Sequence, residues 1–203
     1  MTRGARVVAA LVLALVTATG AAAAVTEEGT ATLDPFGKVA LYREDRTPTR
    51  VVLLLSDADG WNRPDVESAR ALATLDALVV GIDVRRYLAT MAERPGDELY
   101  LFADLEVLSQ FVQKRMRLPS YLPPVVVGRG AGATLAYAVS ASTRPDDFAA
   151  AVSLGFCPTV ALPKPLGRGS GLESDAAAPA GTYRLRPARI LVAPWTVIPG
   201  ECD

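Results

Sequence analysis

Val125-Val126-Val127-Gly128-Arg129-Gly130-Ala131-Gly132-Ala133 is the stretch whose reading decides the fold. Three β-branched residues make a strand, three alternating glycines make a tight turn, and Ala133 to Ser142 reads as the helix that follows. Glycines between a strand and a helix serve three mechanisms. The dinucleotide fingerprint G-x-G-x-x-G/A matches literally, but it wants an acidic residue about 20 positions on, at the end of the next strand. Asp146 and Asp147 stand near that spacing yet precede the strand that begins at Ala149. A phosphate loop needs a lysine before Ser/Thr at the loop's end, and Ala133-Thr134 supplies none. The third mechanism is the nucleophile elbow, G-x-S-x-G, whose frame is Gly128, Arg129, Gly130, Ala131 and Gly132. Its nucleophile slot holds Gly130, which has no side chain.

Outward from the turn, strands and helices alternate. Val51 to Leu55 is a continuous apolar run of the kind buried on both faces of a parallel sheet, broken by Ser56-Asp57-Ala58-Asp59-Gly60. Asp65 to Leu78 reads as a helix, Ala77 to Val84 holds a second strand, and Glu98 to Met116 is a long amphipathic helix stopped by prolines. Ala149 to Leu154 and Trp195 to Pro199 add the fourth and fifth strands, and Thr32 to Tyr42 an N-terminal strand or hairpin. The pattern predicts right-handed βαβ units in a mostly parallel sheet with helices on both faces. Ser56 to Trp61 then lies where an α/β-hydrolase places its oxyanion-hole loop, and Asp203 where it places its catalytic acid. The histidine belongs one strand later, so the hydrolase-like domain is expected to be C-terminally incomplete.

Composition narrows the chemistry. The 203 residues contain no histidine, which excludes from this sequence a Ser-His-Asp triad and any His-ligated metal site. Two cysteines exclude a cysteine-rich zinc module, so no metal and no cofactor are expected. A net charge of −1 argues against a nucleic-acid binder.

Residues 1–24 read as a secretory signal: Arg3 and Arg6, the apolar run Val7 to Val16, then the small residues Ala21 to Ala24. The run is shorter than the ~20 residues of a spanning helix. Cleavage leaves 19 basic and 22 acidic residues, a mature domain over 25–203 with no transmembrane span, exported to the oxidising periplasm. Between 157 and 189 prolines and glycines accumulate and no apolar periodicity survives. Segments of this kind are lids, binding loops or plain surface excursions. As a cap it would carry Lys164 and Arg168 over the site. Cys157 follows the fourth strand and Cys202 the fifth. If those strands are neighbours, ~4.8 Å apart, a Cys157–Cys202 disulfide is feasible.

The segment Leu53-Leu54-Leu55-Ser56-Asp57-Ala58-Asp59-Gly60-Trp61 resembles the "SGDGGW" segment of bacterial virulence proteins of the VirJ/AcvB type. Gly81 to Leu88 is similar to their G-x-D-x-x-x-Y segment, and Gly128 to Ala133 to their G-Y-S-x-G-A elbow. Phe156-Cys157-Pro158, Leu162 to Leu166 and Pro194 to Asp203 resemble the AcvB type, particularly its N-terminal half. The resemblance runs from Val51 to Asp203 and implies a periplasmic α/β-hydrolase-like protein. It also implies hydrolysis of aminoacylated phosphatidylglycerol and a link to type IV secretion and virulence. Asp203 matches the acid position, Gly130 replaces the serine, and no histidine is present.

The expectation is therefore a catalytically inactive hydrolase-like domain with a pocket built from Ser56, Asp57, Gly60, Trp61, Arg129, Gly130 and Ala131. It would bind a phospholipid head group or a periplasmic protein partner. The alternatives are an aminoacyl-phosphatidylglycerol hydrolase, in a longer chain or with a non-standard nucleophile, and a nucleotide-binding α/β protein. Ser153, inside a predicted strand, and Ser56, on the oxyanion-side loop, are poor substitutes for the missing serine.

Overall fold

The computed structural model describes residues 26–167 and 172–199. The expected signal peptide, Arg168, Cys202 and Asp203 lie outside the described residues.

The chain opens with a hairpin, β1 (Thr26–Leu33) and β2 (Gly37–Arg43), paired antiparallel. Strand β3 (Arg50–Leu55) follows, buried from Val51 onward. Alternation along it sends Val51, Leu53 and Leu55 into one apolar cluster and Val52 and Leu54 into another, because successive strand residues face opposite sides. Helix α1 (Arg63–Ala73) starts at Asn62, whose side chain accepts from Asp65 N–H while the Asp65 carboxylate accepts from Asn62 N–H. That reciprocal cap and Pro64 fix its first turn. The helix ends at Thr74, short of the predicted Leu78, because Asp76 turns into the left-handed region at φ 59° and Ala77 opens the next strand.

Strand β4 (Ala77–Ile82) is buried throughout, and α2 (Val84–Glu93) is capped by Asp83, which accepts from Arg86 N–H at 2.9 Å. Helix α3 (Leu101–Arg115), strand β5 (Val125–Arg129) and helix α4 (Ala131–Ser142) follow. After β6 (Ala150–Phe156) come three short strands, β7 (Thr159–Ala161), β8 (Ser174–Ala177) and β9 (Thr182–Leu185), then β10 (Trp195–Pro199).

The main sheet runs β1-β2-β4-β3-β5-β6-β10. From β4 to β10 every pairing is parallel, and β2 joins β4 antiparallel. Helices α2, α3 and α4 pack on one face through Tyr87, Leu105, Leu108 and Leu135, and α1 covers the other through Ala69 and Ala73. The predicted three-layer α/β architecture is present, with helices on both faces.

The segment 157–189 is not structureless. It builds a second antiparallel sheet, β7-β9-β8, and sends Val160, Leu162, Leu166, Leu172 and Leu185 into the main core. Strands of three or four residues are too short to show a period in sequence. The segment is also fastened to the start of α3: Leu99 N–H donates to the Pro165 carbonyl at 2.9 Å and Gly167 N–H to the Leu99 carbonyl at 2.7 Å. Lys164, expected over the site as a cap charge, instead donates to the Arg94 carbonyl.

Candidate functional site: a nucleophile elbow filled by a carboxylate

The parallel strands end at a turn whose geometry follows from its glycines. A Cβ at Gly128 would lie 1.9 Å from the Gly132 carbonyl oxygen, and one at Gly132 would lie 2.5 Å from the Ser56 carbonyl oxygen. Both contacts are backbone atoms that cannot swing away, so the strand, turn and helix approach this closely only with glycine at both positions. Between them Gly130 takes φ 54° and ψ −118°, the strained backbone that an elbow imposes on its nucleophile. Gly130 N–H donates to the Leu154 carbonyl at 3.0 Å, and the Gly130 carbonyl accepts from Ala133 N–H at 3.0 Å. The elbow is thus complete in backbone.

The slot above Gly130 is filled from elsewhere. A Cβ at Gly130 would fall 2.1 to 2.3 Å from the carboxylate atoms of Asp57. Asp57 Oδ1 accepts from Ala131 N–H at 2.8 Å and from Ala58 N–H at 2.6 Å. Ala131 follows the nucleophile position, and its N–H is the one an elbow offers to a developing oxyanion. The chain therefore puts its own anion where a hydroxyl and an oxyanion would otherwise meet. The charge also sits at the N-terminus of α4, where backbone N–H groups favour it.

The other residues expected here are placed as follows. Ser56 is fully buried, donates to the Asp57 carbonyl at 2.9 Å and accepts from Val84 N–H at 3.0 Å. Gly60 closes the turn after Asp57 by donating to the Asp57 carbonyl at 3.1 Å. Arg129 is tied down: its guanidinium reaches Asp65 Oδ1 at 3.1 Å and Asn62 Oδ1 at 3.2 Å, and Asp65 is only 1% exposed. Trp61 belongs to a different place, lying against Gly81 and stacked near Tyr42 with ring centroids 6.4 Å apart. The structure thus brings Asp57, Gly130 and Ala131 together and sets Trp61 apart.

Ser153, read from sequence as a poor substitute for the missing serine, is fully buried, donating to the Ala133 carbonyl at 2.6 Å and accepting from Trp195 Nε1 at 2.9 Å. Neither serine has a proton free for chemistry at the elbow. The nucleotide reading meets two obstacles. Asp57 holds the helix N-terminus where a pyrophosphate would sit. Asp147 pairs with Arg144 at 2.9 Å in the segment that enters β6, at the far end of the sheet from the turn. Cys157 is disulfide-bonded, and Thr134 Oγ1 donates to its carbonyl. Cys202, its expected partner, and Asp203, the expected acid, lie outside the described residues. Among the described residues no group of three or more Asp, Glu or Cys side chains could hold a metal, and no helix is long and apolar enough to cross a membrane.

A strand–turn–helix elbow on a mostly parallel sheet, at the end of the third of five parallel strands, with the second strand antiparallel between β1 and β4, defines an α/β-hydrolase-like fold. No family model and no curated protein matches the sequence. Solved structures similar to it include a dienelactone hydrolase from Anabaena variabilis, with TM-score 0.48, 16% identity, and 65% of this chain aligned to 64% of that one. A thermostable carboxyl esterase from Bacillus coagulans aligns with TM-score 0.46 and 20% identity over 65% of this chain and 44% of its own. A Francisella virulence factor aligns with TM-score 0.44 and 11% identity over 64% and 43%. The aligned region spans between 43% and 64% of the length of these three structures.

Proposed function

We propose that this chain is an exported, catalytically silent hydrolase-like domain of the VirJ/AcvB kind, working by binding a phospholipid head group or a secretion-associated protein partner. One observation carries the reading: the Asp57 carboxylate lies over Gly130 and takes the Ala131 N–H. Without a hydroxyl there is nothing to activate, and a carboxylate already bonded to the oxyanion donor repels a second anion there. The leader-like N-terminus and the disulfide at Cys157 support export to an oxidising compartment.

The test is turnover measured beside binding. The purified chain is offered p-nitrophenyl acetate and vesicles containing lysyl-phosphatidylglycerol. Turnover should match the buffer rate, while vesicles rich in phosphatidylglycerol or a periplasmic partner should retain the protein. Ester hydrolysis that disappears in Asp57→Asn would overturn the reading, because it would make Asp57 a carboxylate nucleophile.

A further inference from the structure

A cleft of about 370 Å³ opens on the β1-β2-β4 side of the sheet, and none of its lining residues belongs to the elbow. Thr30, Lys38, Trp61, Asp83 and Arg86 line it, with Gly81 in its floor. Its volume lies in the range of small-molecule sites.

Two glycines suggest that the cleft is built. Gly81 interrupts the buried run of β4, where a glycine weakens a strand and marks a close approach. A Cβ there would stand 2.3 Å from Trp61 Cη2, so the strand gives up a side chain to seat the indole on the sheet. Tyr42 steadies the same ring. At Gly37 a Cβ would stand 3.0 Å from Arg86 Cδ, so the arginine stem passes over the hairpin at its glycine. Two of the lining side chains thus rest on glycines of different strands.

The chemistry of the lining selects a ligand. The side chains of Lys38 and Arg86 have no ion-pair partner among the described residues. Two unpaired cations beside one cleft call for an anion, and a guanidinium suits the oxygens of a phosphate. Half-buried Trp61 offers a flat apolar surface. Asp83 spends Oδ1 on Arg86 N–H at the start of α2, which leaves Oδ2 to accept from a hydroxyl. We propose that this cleft binds a phosphorylated sugar or polyol ring. The phosphate lies between Lys38 and Arg86, the ring lies on Trp61, and a hydroxyl donates to Asp83.

Calorimetry on the whole mature chain tests it with glucose 6-phosphate, glucose and inorganic phosphate as probes, and with vesicles bearing phosphatidylinositol 4-phosphate. The expected result is saturable binding of the sugar phosphate at least tenfold tighter than either half-probe. It should weaken tenfold or more in Trp61→Ala and in Lys38→Glu/Arg86→Glu, and weaken with added salt. Retention on the phosphoinositide vesicles without binding of the free ester places the same ring on a lipid and also supports the site. Lys38 and Arg86 are exposed, so their double variant should keep the wild-type urea midpoint. Equal affinity for all three probes, binding unchanged in the variants, or no binding to ester and vesicle alike overturns the proposal. Elbow hydrolysis is a separate readout, so either idea can fail without the other.

Discussion

Replacing Gly130 with alanine puts the filled elbow to its most direct test. The new Cβ would fall 2.1 Å from Asp57 Oδ2 and 2.3 Å from Oδ1. A carboxylate on a short side chain can rotate away, so overlap itself is cheap. The cost is the bond it leaves behind. Losing the charged acceptor of Ala131 N–H is worth about 1.5–3 kcal/mol. Holding a non-glycine residue at φ 54° and ψ −118° adds about 1–3 kcal/mol. Gly130→Ala should therefore cost about 2.5–6 kcal/mol in a urea titration. In an Asp57→Ala background the carboxylate is already gone and only the backbone strain remains, about 1–3 kcal/mol. The double-mutant cycle should show the two substitutions strongly sub-additive, by at least ~1 kcal/mol. Additive costs, or a Gly130→Ala penalty that is the same with and without Asp57, would refute the reasoning, because the carboxylate would then not be seated over residue 130.

Three further outcomes are expected. Gly128→Ala, whose Cβ would meet the Gly132 carbonyl oxygen at 1.9 Å, should cost more than ~3 kcal/mol or abolish soluble expression, read by urea unfolding and yield. Arg129→Met leaves Asp65, 1% exposed, with only its cap bond from Asn62 N–H, and should cost about 2–3 kcal/mol, measured the same way. Burial pushes the Asp104 carboxyl above its ordinary value, against the Tyr87 hydrogen bond at 2.8 Å and the charge of Arg94, which both lower it. Its contribution to stability is therefore full below the ordinary carboxylate value and is lost as pH rises through the raised one. Asp104→Asn, which can still accept from Tyr87, should raise the urea midpoint at about pH 7 and match wild type near pH 4.

The parallel sheet was legible because buried strands write continuous apolar runs, such as Val51 to Leu55 and Val125 to Val127. The elbow was legible because close backbone packing demands glycine at fixed spacing, at Gly128 and Gly132. Helix α2 was not, since its buried side consists of just Val84, Tyr87 and Met91. The small sheet was hidden for want of length. The sequence pattern puts Asp57 in the lining of a pocket, but its seat over Gly130 joins residues 74 apart, and no local pattern announces such a contact. The cap that anchors Arg129 is readable in sequence: Asn62 and Asp65 stand three apart, ahead of an apolar helical stripe, as in a capping box.

The same 74-residue separation has a kinetic side. The hairpin and the β3–α1–β4 unit can form from neighbouring chain, but the bond between Asp57 and Ala131 waits until β5 has been inserted beside β3. Closing so long a loop costs entropy that only the assembled sheet returns. The seal belongs to the late side of the folding barrier, and its loss is expected in the unfolding rate. In a chevron plot Asp57→Ala should raise the unfolding arm while leaving the refolding arm near wild type. The carboxylate would then act as a latch on an elbow already built, setting how long the finished molecule lasts and having little to do with how quickly it is made.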